Sequence, residues 1–212
     1  MIILFDLDGT LIDSTDAIVS TFHHSFNVHG SKHPSDEDIM SLIGYPLDIM
    51  YTELGIPEDL VWDYVATYKE EYRKISTIKT ELLECATQAV ELADEIATLG
   101  IVTTKTGSYS ETLMEHFGLM HYFSVLIGRE HVENPKPHAE PILRALEALN
   151  YDSQDVWMVG DTKLDLISAK NANVNSVAVL TGYDDESTLS QYTDYVKKDA
   201  LEAVRFIKDS IK

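Results

Sequence analysis

The feature that most constrains the fold is a short apolar run near the start of the chain, Ile2 to Phe5, followed by Asp6-Leu7-Asp8-Gly9. A continuous apolar run of this kind is typical of a strand that is covered on both faces, and such strands belong to parallel sheets. Open α/β sheets bind their ligands outside the carboxyl ends of their strands. The sequence therefore places Asp6 and Asp8 where a ligand is expected.

Asp8-Gly9 also has a purely structural interpretation, because Asp-Gly is a strong signal for a hairpin turn, with Thr10 to Ile12 as the return strand. The two interpretations are compatible, since a turn still orients a carboxylate. Two carboxylates about 4 Å apart repel by roughly 4 kcal/mol at an effective dielectric constant of about 20. The pair needs a cation, a shared proton or solvent.

Residues 14–81 show helical periodicity and no convincing strand. Gly30 and Gly55 follow apolar stretches as stop signals, and Ser35 with Asp38 has the spacing of a capping box. An aromatic stripe at spacing four, from Tyr64 onwards, is typical of packing between helices. This pattern predicts about four helices.

From about Thr80 the pattern changes to alternating helices and apolar strands, which indicates a parallel sheet. Strands are predicted at 101–104, 125–128, 156–159, 176–180 and 195–196. Helices are predicted over 86–97, stopped by Gly100, over 108–117 with a capping box of Ser108 and Glu111, over 142–149, and on Leu201, Val204, Ile207 and Ile211. We predict an α/β protein with a Rossmann-like parallel-sheet core of residues 1–13 and 82–212 and an inserted α-helical cap domain of residues 14–81.

Polar groups follow the predicted strands at one edge of this sheet. Each has an ordinary explanation taken singly, since Thr and Asp often cap helices and a loop lysine is usually solvated. Because the ends of parallel strands face one way, we expect them to converge on one crevice. The set consists of Asp6 and Asp8, Thr103 and Thr104, Lys136, and Asp161 with Asp165.

The chemistry of this set fits a phosphoryl group bound with a divalent cation. Carboxylate oxygens suit Mg²⁺ better than zinc, and the threonines and Lys136 offer donors and a positive charge. The chain has 16 Lys and Arg against 36 Asp and Glu, a formal charge of −20, which disfavours nucleic acid and anionic membranes as partners. Mg²⁺ and Lys136 would reverse the potential locally.

The composition also bears on location. A single cysteine, Cys85, excludes an intramolecular disulfide and favours a reducing cytoplasm. No apolar run approaches the roughly 18 residues of a membrane span. We expect an unexported cytoplasmic protein, as a monomer or a homodimer.

The order of the motifs resembles the haloacid dehalogenase-like hydrolase superfamily, and the helical insertion resembles the cap of its subfamily I. The four motifs stand here as Asp6-Leu7-Asp8-Gly9-Thr10, Thr103-Thr104-Lys105, Lys136-Pro137 and Gly160-Asp161-Thr162-Lys163-Leu164-Asp165. Within the superfamily, Ile43-Gly44-Tyr45-Pro46-Leu47 and Thr181-Gly182-Tyr183 look most like phosphoglycolate phosphatases. The chain departs from that pattern at Cys85 and Asn173, where relatives usually have Gly, and at Thr104, where they often have Asn.

The resemblance implies roles for these residues. Asp6 would attack phosphorus to form an aspartyl-phosphate, and Asp8 would protonate the leaving oxygen and later deprotonate water. Asp6, Asp161 and the main-chain carbonyl of Asp8 would hold Mg²⁺, supported by Asp165. The phosphoryl oxygens would be bound by Thr103, Thr104, Lys136 and Gly44.

We therefore predict a Mg²⁺-dependent phosphatase that hydrolyses a small phosphate monoester similar to phosphoglycolate. Alternatives on the same core are a phosphomutase of the β-phosphoglucomutase type, a pyrophosphatase and a nucleotidase. A dehalogenase is disfavoured, because displacement of halide from carbon needs no acid such as Asp8. A non-enzymatic phospho-switch resembling response-regulator receivers is the alternative from another class.

Overall fold

The computed structural model describes residues 1–150 and 155–210. Ile211, at the end of the predicted last helix, lies outside the described residues. The chain divides into two compact units, one of residues 1–13 and 82–212 and one of residues 14–81. Across the described ranges, no helix combines the length and the apolar character that crossing a bilayer requires.

A parallel sheet forms the centre of the first unit. The strands in chain order are β1 (Ile2–Phe5), β2 (Ile12–Asp13), β3 (Glu81–Leu82), β4 (Thr98–Val102), β5 (Phe123–Ile127), β6 (Val156–Gly160), β7 (Asn175–Val179) and β8 (Val196–Lys197). Six of these described strands make the sheet, in the order β5-β4-β1-β6-β7-β8. β1 lies between β4 and β6 and pairs with both in parallel, so its end lies at the centre of the sheet edge.

Helices cover both faces of this sheet. They are α5 (Ala86–Asp94), α6 (Gly107–His116), α7 (Glu140–Ala148), α8 (Lys163–Asn171), α9 (Glu186–Leu189) and α10 (Ala200–Ser210), and the helices that precede α5 belong to the second unit. Ile3 and Phe5 pack into the core that includes α5 and α10, whereas Ile2 and Leu4 pack into the core that includes α7 and α8. All four side chains are fully buried. The predicted α/β class and the doubly covered first strand are confirmed.

The second unit consists of four helices, α1 (Thr15–Val28), α2 (Asp36–Met40), α3 (Leu47–Glu53) and α4 (Val61–Lys79), in its described residues 14–81. Aromatic rings from three of them pack together, with Phe22 against Tyr51 and Tyr68 and with Phe26 against Tyr64. The aromatic stripe is therefore packing, as the spacing indicates.

The predicted capping box at the start of α2 is confirmed. The Ser35 hydroxyl accepts from the Asp38 N–H at 3.1 Å, and the Asp38 carboxylate accepts from the Ser35 N–H at 3.3 Å.

Gly100 does not stop a helix, contrary to the sequence prediction. α5 ends at Asp94, and Gly100 lies inside β4. A Cβ atom there would lie 2.7 Å from side-chain atoms of both Leu4 and Val125, so the glycine permits close packing of the neighbouring strands. A glycine between two apolar stretches is compatible with either role, and tertiary packing decides between them. The strands β4 to β8 begin and end within three residues of their predicted bounds.

The predicted capping box of Ser108 and Glu111 is also wrong. α6 begins at Gly107, and its N-cap, Thr106, makes no side-chain capping bond. Instead, the Glu130 carboxylate accepts from the Gly107 N–H at 2.8 Å and the Ser108 N–H at 3.4 Å. A carboxylate also interacts favourably with the positive end of a helix dipole.

Cys85 adopts a left-handed backbone conformation, with φ of 65°, directly before α5. This conformation costs a residue with a Cβ atom roughly 1–2 kcal/mol. It agrees with the sequence comparison above, in which relatives usually have Gly here and at Asn173, where φ is 57°.

We expect Cys85→Gly to increase the free energy of unfolding by about 0.5–1 kcal/mol relative to Cys85→Ala, since both variants lose the thiol and only glycine relieves the strain. Urea unfolding of the two variants measures this difference. Equal stabilities would show that the left-handed conformation carries no cost here.

Candidate active site

Three buried aspartates meet where β1 and β6 end. Asp6 follows β1 directly and Asp161 follows β6, and the pairing of Phe5 with Val159 brings the two strand ends side by side. Oxygen atoms of Asp6, Asp161 and Asp165 lie within 4.8 Å of one another. Their relative exposures are 3%, 0% and 0%. The structure thus brings together side chains that the sequence separates by more than 150 positions.

Lys136 joins two of these carboxylates. Its Nζ lies 2.9 Å from Asp6 Oδ2 and 2.5 Å from Asp165 Oδ1, and it donates to the carbonyl of Val102 at 3.2 Å. Burial acts to lower the pKa of Lys136, but the attraction of Asp165 and Asp6 outweighs it and the pKa is raised. Lys136 is therefore a positively charged ammonium in the interior of the core.

In Asp6 and in Asp165, the oxygen that does not contact Lys136 accepts hydrogen bonds from other groups. Asp6 Oδ1 accepts from the Leu7 N–H at 2.7 Å. Asp165 Oδ2 accepts from the N–H of Thr162 at 3.1 Å and from its hydroxyl at 2.7 Å. Both oxygens of Asp165 thus have protein partners, which suits a residue that holds Lys136 in place.

Asp161 is fixed by groups that the sequence analysis did not select. Thr10 Oγ1 donates to Asp161 Oδ1 at 2.8 Å, and the Tyr183 N–H donates to Asp161 Oδ2 at 3.0 Å. Gly9, with φ of 83°, and Gly182 lie against this carboxylate, and a Cβ atom on either would overlap it. The sequence carries one signal for these partners, since each directly follows a glycine: Thr10 follows Gly9 in the first motif, and Tyr183 follows Gly182.

Asp8 contacts a lysine that was not predicted to belong to the site. Lys105 Nζ lies 2.9 and 3.0 Å from the two oxygens of Asp8. The side chains of Lys105 and Asp8 are 7% and 11% exposed. The position of Lys105 directly after Thr103-Thr104 was the available signal, because the residues that follow a strand end lie at the same edge of the sheet.

Thr103 and Thr104 follow β4, the strand beside β1. The N–H of Thr103 donates to the carbonyl of Ile127 in the sheet at 2.9 Å, so of its donors only the hydroxyl is left for a phosphoryl oxygen. Its hydroxyl oxygen accepts from the Lys105 N–H at 3.2 Å. Gly44 belongs to the helical unit, and its contact with phosphate stays a prediction.

The electrostatics of the cluster call for a cation. If all are ionised, Asp6, Asp8, Asp161 and Asp165 together with Lys105 and Lys136 leave a formal charge of −2. Burial raises the pKa of Asp6 to about 7, against the opposing attraction of Lys136. The pKa of Asp161 is raised well above its usual range, mainly by burial and further by the negative charges of Asp165 and Asp6.

The donor set fits a hard divalent cation. Carboxylate oxygens that converge within 4.8 Å are the ligands that Mg²⁺ prefers, and a charge of +2 would balance the cluster. Asp6 and Asp161, which follow the ends of β1 and β6, are the ligand candidates that the resemblance above implies. Asp165 lies in α8 and makes three contacts with Lys136 and Thr162.

Comparisons with known proteins agree with this geometry. The family model for haloacid dehalogenase-like hydrolases matches residues 3–179. The chain is 34% identical over 196 residues, 92% of this chain and 90% of the relative, to pyrophosphatase PpaX of Halalkalibacterium halodurans. It is 31% identical over 210 residues, 98% of this chain and 97% of the relative, to pyrophosphatase PpaX of Oceanobacillus iheyensis.

Solved structures extend the likeness to the fold. A haloacid dehalogenase-like family hydrolase of Streptococcus pneumoniae superposes with a TM-score of 0.87 at 26% identity and covers 97% of both chains. A protein of Lactobacillus plantarum, described as a candidate phosphoglycolate phosphatase, superposes with a TM-score of 0.86 at 26% identity and covers 96% of this chain and 97% of its own.

We expect Mg²⁺ to raise the melting temperature of the metal-free protein. Saturation at 100 times the dissociation constant adds about 2.7 kcal/mol, which corresponds to about 5–10 °C for a chain of this size. Asp161→Asn should lose the effect, and Asp209→Asn on the exposed end of α10 should keep it. A melting temperature of the wild type that does not respond to Mg²⁺ would exclude the cation site.

Proposed function

The chain belongs to the haloacid dehalogenase-like hydrolase family, and from this premise we propose that it is a Mg²⁺-dependent phosphatase of small phosphate compounds that works through an aspartyl-phosphate. The observation that carries the proposal is the buried cluster of Asp6, Asp161, Asp165 and Lys136 with Asp8 beside it.

Asp6 is the proposed nucleophile. One of its oxygens accepts from the Leu7 N–H and the other contacts Lys136, so the carboxylate is held in a fixed orientation. An oriented carboxylate that attacks phosphorus replaces one difficult displacement by two easier ones, as in other enzymes with aspartyl-phosphate intermediates. In the first step the Asp6 oxygen forms a bond to phosphorus as the bond from phosphorus to the leaving oxygen breaks.

Asp8 is the proposed acid and base. It follows the nucleophile by two positions, and its charge is near enough to contribute to the raised pKa of Asp6. In its protonated form it would give a proton to the leaving oxygen. The resulting carboxylate would then take a proton from the water that attacks the phosphoryl group on Asp6, which restores both residues.

Lys136 and the hydroxyls of Thr103 and Thr104 would bind the phosphoryl oxygens, whose charge must be stabilised in the transition state. Asp165 and the carbonyl of Val102 hold the ammonium group of Lys136 in place for this task. Asp6, Asp161 and the main-chain carbonyl of Asp8 would hold Mg²⁺, whose charge would help to neutralise the phosphoryl oxygens.

The proposed substrate is a small monoester such as phosphoglycolate. The resemblance of Ile43 to Leu47 and of Thr181-Gly182-Tyr183 to phosphoglycolate phosphatases supports it, together with the likeness to the Lactobacillus plantarum protein. Inorganic pyrophosphate is the second candidate, favoured by the relatives named pyrophosphatase PpaX. A panel of phosphate compounds assayed for phosphate release decides between them.

The other expectations stay proposals. Residues 14–81 would serve as the cap that excludes bulk water and selects the leaving group, with Gly44 at the phosphate. The single cysteine favours the cytoplasm, and the charge of −20 disfavours nucleic acid and anionic membranes. A phosphomutase would convert a sugar phosphate to its isomer, and a phospho-switch would retain its phosphoryl group without steady turnover.

We expect Asp6→Asn to abolish phosphate release and Asp8→Asn to reduce kcat by about 10²- to 10⁴-fold, the usual contribution of general acid and base catalysis. Steady-state assays measure the rates, and circular dichroism checks that both variants fold. Asp209→Asn, the same exchange at an exposed position, should retain full activity. Near wild-type rates in either site variant would contradict the assigned roles.

We expect EDTA to stop turnover and excess Mg²⁺ to restore it, because the cluster carries a formal charge of −2 that would repel an anionic substrate. Phosphate release is followed before and after each addition. Activity that persists in EDTA would rule out the role of the cation.

A further inference from the structure

Lys105 is a largely buried cation to which the proposed mechanism gives no role. Its Nζ contacts both oxygens of Asp8, at 2.9 and 3.0 Å. Its backbone is held at both ends, since its N–H donates to Thr103 Oγ1 at 3.2 Å and its carbonyl accepts from the Arg129 N–H at 3.0 Å. The base of the side chain is therefore fixed, and the ammonium group lies at the edge of the sheet where the reaction is proposed.

We propose that Lys105 determines specificity by binding an anionic group on the leaving part of the substrate, an inference that rests on the proposed function. Asp8 is the group that meets the leaving oxygen, so an ammonium at hydrogen-bond distance from Asp8 also lies next to that oxygen. A carboxylate or phosphate within two or three bonds of the leaving oxygen would come within reach of Lys105.

The chemistry of the ammonium group suits this task. It is a compact charge with three donors on a flexible stem, so it can contact Asp8 and a substrate anion in turn or together. The surrounding protein carries a formal charge of −20, which repels an anionic leaving group unless a local cation compensates. The carboxylate of phosphoglycolate and the second phosphate of pyrophosphate are both anions of this kind, whereas a neutral alcohol gains nothing from Lys105.

The competing role for Lys105 is to hold Asp8 in place. The two roles predict different kinetics. Loss of a residue that only orients Asp8 should lower kcat/KM by a similar factor for two substrates with alcohol leaving groups, because both need the leaving oxygen protonated. Loss of a residue that binds the leaving group lowers it selectively for substrates that carry the anion.

The experiment compares phosphoglycolate with 2-hydroxyethyl phosphate, which differ only in a carboxylate against a hydroxymethyl group. Lys105→Met keeps an unbranched stem and removes the charge. We expect the ratio of kcat/KM for the two substrates to fall by about 10- to 100-fold, the usual effect of one hydrogen bond to a charged group. Lys105→Arg should recover most of the ratio. Lys198→Met, which removes an exposed lysine, should leave it unchanged.

An unchanged ratio would overturn the inference, whether kcat/KM falls equally on both substrates or falls on neither. If circular dichroism shows that Lys105→Met is unfolded, the same ratio measured in Lys105→Gln decides. If the wild-type protein releases phosphate but the ratio is the same in the Lys105 variants, this inference alone is overturned. Wild-type protein that releases no phosphate from either compound or from pyrophosphate would overturn the proposed function and this inference with it.

Discussion

The excess of negative charge around Lys136 is the constraint on which the rest of the site depends. Three carboxylates lie within 4.8 Å of one another in the interior, and Lys136 contacts two of them. A group of buried charges is stable only when each has a partner, and an unbalanced group must bind a proton or a cation. The raised pKa values of Asp6 and Asp161 favour binding of a proton, and binding of a divalent cation is the alternative. The same excess of negative charge would favour the binding of a divalent cation, as the proposed function requires.

The parallel sheet makes this concentration of charge possible. β1 is covered on both faces and carries its neighbours in register, so the residues that follow β1, β4 and β6 emerge at one edge. This part of the structure could be predicted from the sequence. Apolar runs indicate buried parallel strands, and parallel strands have their carboxyl ends together whatever the intervening chain does. The meeting of Asp6 with Asp161 follows from topology alone.

Other features could not be predicted, because they depend on side-chain positions that periodicity does not encode. The contact between Asp8 and Lys105 joins residues that are 97 positions apart, through rotamers that only the packed core determines. The start of α6 is capped by Glu130, which accepts from the Gly107 N–H and lies 23 positions further along the chain. A capping box is a local pattern and gives no sign of such a partner. The prediction that Gly100 ends a helix fails because a helix stop and a close approach of strands give the same local signal, and only the packing against Leu4 and Val125 distinguishes them.

Gly9 and Gly182 have a consequence for how this protein tolerates change. A Cβ atom on either residue would overlap Oδ2 and Cγ of Asp161, so neither position has space for a methyl group. In a deep mutational scan, these positions should therefore rank with the charged residues although they offer no functional group. Directed evolution of a new substrate preference should therefore select substitutions at other positions, since any side chain at either glycine would displace Asp161.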